Sequence, residues 1–280
     1  MTRRVAVVTD STAGLSASVA AEAGVRVVPL TVTVGGRSGV EGVDVTPADV
    51  AAALGERRIS VATSRPSPAE LARAYADALA DASDVVAVHL SSKLSGTYAS
   101  AVAASREFSG TVSVVDSGST AMGLGFPVLA AAAVARDGGD AADVRAAAEE
   151  AVRRTTTLFY VDTLEYLRRG GRIGAAAALV GTALAVKPIL RVDTAGVALA
   201  ERVRTSARGL ARLEELAVEL AIGPVNVAVH HLAAPQRAET LATRLSDRLP
   251  QVKDLLTSEV GAVIGAHVGP GVVGVVVSPG

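Results

Sequence analysis

No cysteine occurs anywhere in the 280 residues, so disulfide staples, thiolate nucleophiles and cysteine-ligated zinc are all excluded. Tryptophan is missing too, and the aromatic residues amount to three phenylalanines and four tyrosines. Aromatic stacking is the common way to hold a base, so a ligand pocket here has to be lined mainly by aliphatic side chains. There is no excess of charge of either sign. The formal net charge of −1 leaves no bulk basic field to draw the chain to nucleic acid or anionic lipid. Lysine is scarce, with Lys93, Lys187 and Lys253 as the whole set, so arginine carries most of the positive charge. Long apolar runs are also lacking. The longest with helical character, "GAAAALVGTALAV" (174–186), falls short of the roughly 20 residues a spanning helix needs. The N-terminal "VAVV" is too short for a signal-peptide core, and a polar "TDSTAG" follows it. Together these absences predict a soluble, cytoplasmic protein with no membrane span.

What is present is half apolar and one-fifth charged, the composition of a globular chain long enough to bury a core without staples. Its length suggests two domains or one large one. In the first half, β-branched runs alternate with alanine-rich segments. "RVAVV" (4–8), "VRVVPLTV" (25–32), "VVAVHL" (85–90) and "TVSVVDS" (111–117) read as strands. "SASVAAEAG" (16–24) reads as a helix closed by Gly24. "TPADVAAALGE" (46–56) opens with a threonine cap and a first-turn proline. "SPAELARAYADALAD" (67–81) repeats the device, and Glu70 completes a capping box. A further helix follows "LSGT". This alternation predicts a parallel sheet covered on both faces. After about residue 150 the rhythm changes. A glycine-arginine turn, "RRGGRIG", leads into an Ala/Leu/Val helix over 174–186, and "KPILRVDTAGVALAERVR" (187–204) reads as two antiparallel strands joined at "DTAG". "VNVAVHH" (225–231), a helix over 235–248 and "GVVGVVVS" (271–278) complete an α+β unit. The predicted division is 1–152 and 153–280.

Ligands of open α/β sheets bind outside the carboxyl ends of the strands. "TDST" (9–12, with Asp10 and Ser11), "SSKLSGT" (91–97) and "DSGSTAMGLG" (116–125) fall at such ends. "ATSRPSP" (62–68, with Thr63 and Ser64) opens a helix. If Ser95 is a helix N-cap, the amides of Gly96, Thr97 and Tyr98 are available donors that suit an anion. Ordinary capping explains the same residues. Ser95 lacks the G-x-S-x-G context of a hydrolase nucleophile. His230 and His231 are adjacent in a strand and point to opposite faces. His89, inside an apolar strand, reads as a core histidine, whereas His267 in "GAHVGPG" has no periodic pattern to explain it. There is no phosphate-binding loop of the G-x-x-x-x-G-K-[ST] or G-x-G-x-x-G kind, and no His/Asp/Glu spacing suited to a metal. Arg172, on its glycine-rich turn, and Arg202 and Arg204, in "ERVRT", read either as solvated surface or as a grip for a phosphorylated group or an acidic partner.

The stretches "VAVVTDSTAGL", "TSRPSP", "HLSSKLSGTYASA", "VVDSGSTAMGLG", "LEYLRRGGRIG", "VKPIL", "ERVRT" and "GAHVGPGVVGV" stand in the order of the DegV family, which this chain resembles over nearly its whole length. Arg65 stands where that family usually shows glutamine, and "GGRSGVEGVD" (35–44) is a looser version of its segment, read as a loop. The resemblance implies an N-terminal parallel-sheet α/β domain and a C-terminal α+β domain, with a long-chain fatty acid between them. It implies that Thr63 and Ser95 hydrogen-bond the carboxylate with Gly96 and His267 close by, and that Asp10, Ser11, Ser64 and Thr97 form the nearby rim. It implies a separate ATP-dependent fatty acid kinase subunit that converts the carboxylate to an acyl phosphate for phospholipid synthesis, with Arg172 and Arg204 engaging that subunit. On this reading the chain is a lipid-binding subunit, needs no cofactor or metal, and touches membranes at most transiently. The rival reading is a serine hydrolase or acyltransferase using Ser95 and His267.

Overall fold

The computed structural model describes residues 3–56, 59–179 and 187–280. In chain order these contain β1 (Arg3–Asp10), α1 (Ala17–Ala23), β2 (Val25–Val28), β3 (Thr31–Val34), β4 (Arg37–Val40), α2 (Pro47–Gly55), β5 (Val61–Ser64), α3 (Pro68–Leu79), β6 (Ala82–His89), α4 (Thr97–Ser105), β7 (Val112–Asp116), α5 (Met122–Arg136) and α6 (Ala141–Arg154). There follow β8 (Thr156–Tyr160), α7 (Glu165–Arg169), β9 (Lys187–Asp193), β10 (Gly196–Val203), α8 (Ser206–Leu220), β11 (Val225–His231), α9 (Pro235–Arg248), β12 (Val252–Glu259), α10 (Ala262–Val268) and β13 (Val273–Pro279). The chain divides into two compact units. One holds the residues up to Thr31 together with Ser64–Arg154, and the other holds Val32–Thr63 with Thr155–Gly280. The chain crosses between them three times, the last time between Arg154 and Thr155, where the expectation was a single boundary near residue 152. The excursion of residues 32–63 into the second unit was not part of that expectation.

The first unit is a parallel sheet in the order β2-β1-β6-β7. The centres of β1 and β6, Val5–Val8 and Val85–Val88, are apolar at consecutive positions because both faces are covered. On one face Val5, Val7, Val86 and Val88 pack with Leu124, Val128 and Ala132 of α5 and with Val144 and Ala148 of α6. The intervening residues Ala6, Val8, Val85 and Ala87 pack on the other face with Leu71, Ala72, Tyr75 and Ala78 of α3 and with Ala101 and Ala104 of α4. The period-two alternation of β-strands divides one continuous run between two cores.

Helix starts follow the local chemistry. Ser16 accepts the Val19 amide, and Thr46 with Asp49 and Ser67 with Glu70 form full capping boxes. Only the second of these boxes was read from the sequence. Ser67→Ala is expected to cost about 1 kcal/mol of stability, measurable by denaturant titration at pH 7. Hydrogen bonds from Ser67 hold the Glu70 carboxyl below its ordinary value of 4.5. The contribution of Glu70 is therefore complete above that value and disappears as pH falls through the lower, folded one.

Three expectations are corrected. "VRVVPLTV" is two strands in two sheets: β2 pairs in parallel with β1, while β3 lies in the order β4-β3-β5. Pro29 separates them, since it has no N–H to give a ladder. The segment 35–44 is more than a loop, because it contains β4 and, directly after it, the buried Glu41. In the stretch read as a helix over 174–186, Gly174–Leu179 is a 3-10 turn, and residues 180–186 lie outside the described residues.

The second unit has a sheet in the order β10-β9-β8-β13-β11-β12, antiparallel except for the β11–β12 pair. Leu158, Tyr160, Ile189, Val227, Val229 and Val275 of this sheet pack against Leu213 and Ala217 of α8 and Leu241 and Leu245 of α9. The two helices are tied by Glu214, which accepts from Arg248 at 2.8 Å and faces Arg244 at 3.5 Å. The hairpin of β9 and β10 turns at Asp193–Gly196 as read from "DTAG".

Candidate functional site

In the first unit the polar residues gather at the carboxyl ends of β1, β6 and β7. Asp10 ends β1 and is fully buried. Its Oδ1 accepts from the Thr12 amide at 3.1 Å and the Thr12 hydroxyl at 2.6 Å, and its Oδ2 accepts from the Leu90 amide at 3.0 Å. His89 Nδ1 lies 2.9 Å from the same Oδ2, and its Nε2 lies 3.1 Å from the Tyr75 hydroxyl. A carboxylate accepts only, so His89 Nδ1 donates to Asp10. Burial pushes the Tyr75 hydroxyl far above its ordinary value, which keeps it a donor. The Asp10–His89–Tyr75 chain resembles a catalytic relay but closes on itself inside the core. It holds strand ends in register and leaves no nitrogen for a substrate.

Next to it, the loop after β6 is folded on its own hydroxyls. The Ser91 hydroxyl accepts from the Lys93 amide at 3.2 Å, and Asp116 at the end of β7 accepts from the amides of Ser92 and Gly118. Ser95 is not the N-cap of α4. Gly96 is, and it makes no side-chain cap bond. Ser95 Oγ instead accepts the Thr97 amide at 3.2 Å and lies 2.9 Å from Thr97 Oγ1. The serine–threonine turn places the hydroxyl one residue earlier than a cap would, partly exposed beside the first amides of the helix.

In the second unit, Thr63 on β5 and His267 on α10 are 204 positions apart in sequence and meet with Oγ1 2.9 Å from Nε2. His267 Nδ1 is buried with no hydrogen-bond partner among the described residues. A proton on Nδ1 would be an orphaned donor, so we place it on Nε2. His267 then donates to Thr63 Oγ1 and leaves the threonine hydrogen free to turn to a ligand. Burial, then the nearby Arg172 charge, pushes the imidazole down to about 4, so it is neutral at pH 7. Two devices hold this ring. Gly170 lies against it: a β-carbon at position 170 would be 3.1 Å from Cε1 and closer still to Nδ1. Glu41, from the segment read as a loop, accepts the Val263 amide at 2.7 Å and so secures the start of α10.

The expected site residues are therefore placed as follows. Thr63 and His267 are brought together, and Ser95, Gly96 and Thr97 form one turn. Thr97 and Asp10 are fully buried structural groups rather than rim. Ser11 accepts the Leu30 amide at 3.0 Å, and Ser64 is exposed at the end of β5. Arg172 folds back to donate to the Gly170 carbonyl at 2.6 Å, and Arg204 is exposed just beyond β10. The hydrolase reading needs an imidazole on Ser95 Oγ. Among the described hydrogen bonds Ser95 meets Thr97, and His267 Nε2 meets Thr63. Sequence reasoning missed Gly170 and Glu41. The double glycine in "RRGGRIG" was a signal for the first, whereas nothing local announces that Glu41 reaches Val263. Among the described residues no cluster of three or more His, Asp or Glu could hold a metal ion, and no helix is long and apolar enough to cross a membrane.

The family model described as "Uncharacterised protein, DegV family" matches residues 4–280. The DegV domain-containing protein SCO2569 of Streptomyces coelicolor is 54% identical, with 99% of each chain covered. Among solved structures, a DegV family protein from Thermus thermophilus, described by its fatty acid binding, superposes with a TM-score of 0.93 at 35% identity over 99% of both chains. DegV from Bacillus subtilis, described as a fatty acid binding protein, gives 0.90 at 31% identity over 99% of both chains. With its mixed α/β architecture, its ordered motifs and these relatives, the chain belongs to the DegV family.

Proposed function

We propose that this protein binds a long-chain fatty acid and presents its carboxylate to a separate ATP-dependent kinase subunit, which converts it to an acyl phosphate. The observation that carries the reading is the Thr63–His267 pair, a neutral hydroxyl–imidazole couple with its free hydrogen available to an acceptor. The Ser95 hydroxyl, just before α4, supplies a donor of the same kind when its hydrogen turns to a ligand. A desolvated carboxylate needs several such donors. Two structural relatives described as fatty-acid-binding support the choice of ligand. Burying a sixteen-carbon tail, about 14 methylenes at ~0.8 kcal/mol each, offers roughly 11 kcal/mol gross. Association and ordering offset a large part of it. The tail therefore dominates affinity, and the polar groups orient the head. Arg172, tied to the Gly170 carbonyl, steadies the turn beside His267, and Arg204 is the group free to meet the kinase.

Lipid extraction of the purified protein followed by mass spectrometry tests the reading. About one fatty acid per chain is expected; a protein that carries none and cannot be loaded with any removes the proposal. Arg204→Ala is expected to leave lipid loading unchanged while lowering acyl phosphate formation with the kinase. Equal loss of both would remove the division of roles.

A further inference from the structure

Arg65 is held against the head-group turn by the backbone around it. It follows Ser64 at the end of β5 and precedes the buried Pro66, which confines Arg65 to extended backbone. Ser67 then locks into its capping box with Glu70. The stem of Arg65 thus leaves a segment with little freedom. Its side chain lies across Gly96: a β-carbon there would fall 2.7 Å from Arg65 Cζ, 2.9 Å from Cδ, and closer still to Nη1. The backbone of Gly96 itself, at φ −76° and ψ 5°, is open to any residue. A side chain at position 96 would therefore displace the guanidinium from this place rather than strain the turn.

Many of the other arginines sit on a carboxylate, among them Arg26 on Asp81, Arg145 on Glu149, Arg212 on Glu201 and Arg237 on Asp162. Among the described residues no carboxylate pairs with Arg65. An exposed cation lying across Gly96, next in sequence to Ser95 and without a counter-charge among the described residues, is suited to an anion from outside. Building on the fatty-acid reading above, we infer that Arg65 is a head-group residue of this chain, giving the Ser95–Gly96 turn a positive charge that selects ionised acyl head groups over uncharged ones.

The test uses delipidated full-length protein and two probes of equal chain length, palmitate and hexadecanol. Wild-type protein is expected to bind both, with palmitate tighter. Arg65→Gln should weaken palmitate about tenfold, the scale of a lost charge-assisted hydrogen bond, and leave hexadecanol unchanged. Arg65→Lys should retain most of the preference, and raising the salt concentration should erode it in wild type but not in Arg65→Gln. The inference is overturned if Arg65→Gln binds palmitate as wild type does. It is equally overturned if that variant loses both probes alike, which would make Arg65 a packing group. If wild-type protein binds neither probe, the fatty-acid reading itself falls, a result distinct from either of those.

Discussion

Gly170→Ala is expected to leave the protein folded and to displace His267, the histidine proposed to stand at the head group. The backbone of Gly170, at φ −75° and ψ −11°, accepts alanine without strain. The obstacle is the His267 ring, 3.1 Å from the new β-carbon at Cε1 and nearer at Nδ1. Either the imidazole turns away from Thr63 or the turn carrying Arg172 shifts, and both break the 2.9 Å bond that aims the threonine hydrogen. Fatty-acid affinity should drop about tenfold to a hundredfold, the worth of one or two hydrogen bonds to a charged head group. Gly171 is the control. It sits at φ +67° with nothing near its missing β-carbon. Gly171→Ala should cost about 1 kcal/mol of backbone strain and leave binding intact. Ligand titration and thermal unfolding of the two variants separate these outcomes, and matching losses of affinity would overturn the argument.

Acid should destabilise the empty protein well before its carboxylates protonate. His230, buried in β11 with its Nδ1 3.1 Å from the Ser258 hydroxyl, is pushed by desolvation from 6.5 down to about 4. His267 is lowered similarly, by burial and then by Arg172. Between these values each histidine binds more protons unfolded than folded, so stability is complete above pH 6.5 and is lost as pH falls towards 4. For His230 the loss is about 3 kcal/mol; for His267, which is partly exposed, it is smaller. Denaturant titrations across this range should show the slope, and His230→Gln should flatten it whatever the variant's absolute stability. Loading with fatty acid should shrink the share due to His267, because a carboxylate beside the ring favours its protonated form. An unchanged slope in the loaded protein would place the head group elsewhere.

Local pattern made much of this structure legible. Caps at Ser16, Thr46 and Ser67 set helix starts from chemistry within three residues, and the hairpin at "DTAG" and the strand "VNVAVHH" follow from local periodicity. The amphipathic helix over 235–248 was equally plain. Strand β12 was not read, because "VKDLLTSE" has neither strict alternation nor an apolar run. α10 is seven residues long, with three β-branched residues and one glycine among them, and has no strong propensity signal to announce it. Its start depends on Glu41, more than two hundred positions away.

The sequence by itself determined the kind of protein: a disulfide-free α/β chain with parallel β-strands first, an antiparallel-rich sheet later, and ordered hydroxyl and glycine motifs of one family. Those properties are written in composition, period and short spacings, which act over a few residues. Tertiary structure alone decided which polar residues are available. It buried Asp10 and His89 in a closed network, moved the cap from Ser95 to Gly96, joined Thr63 to His267 and laid Arg65 across Gly96. Each of these depends on packing between segments far apart in the chain or on the precise turn a loop adopts. Such contacts arise from burial and close approach, and no local pattern encodes them.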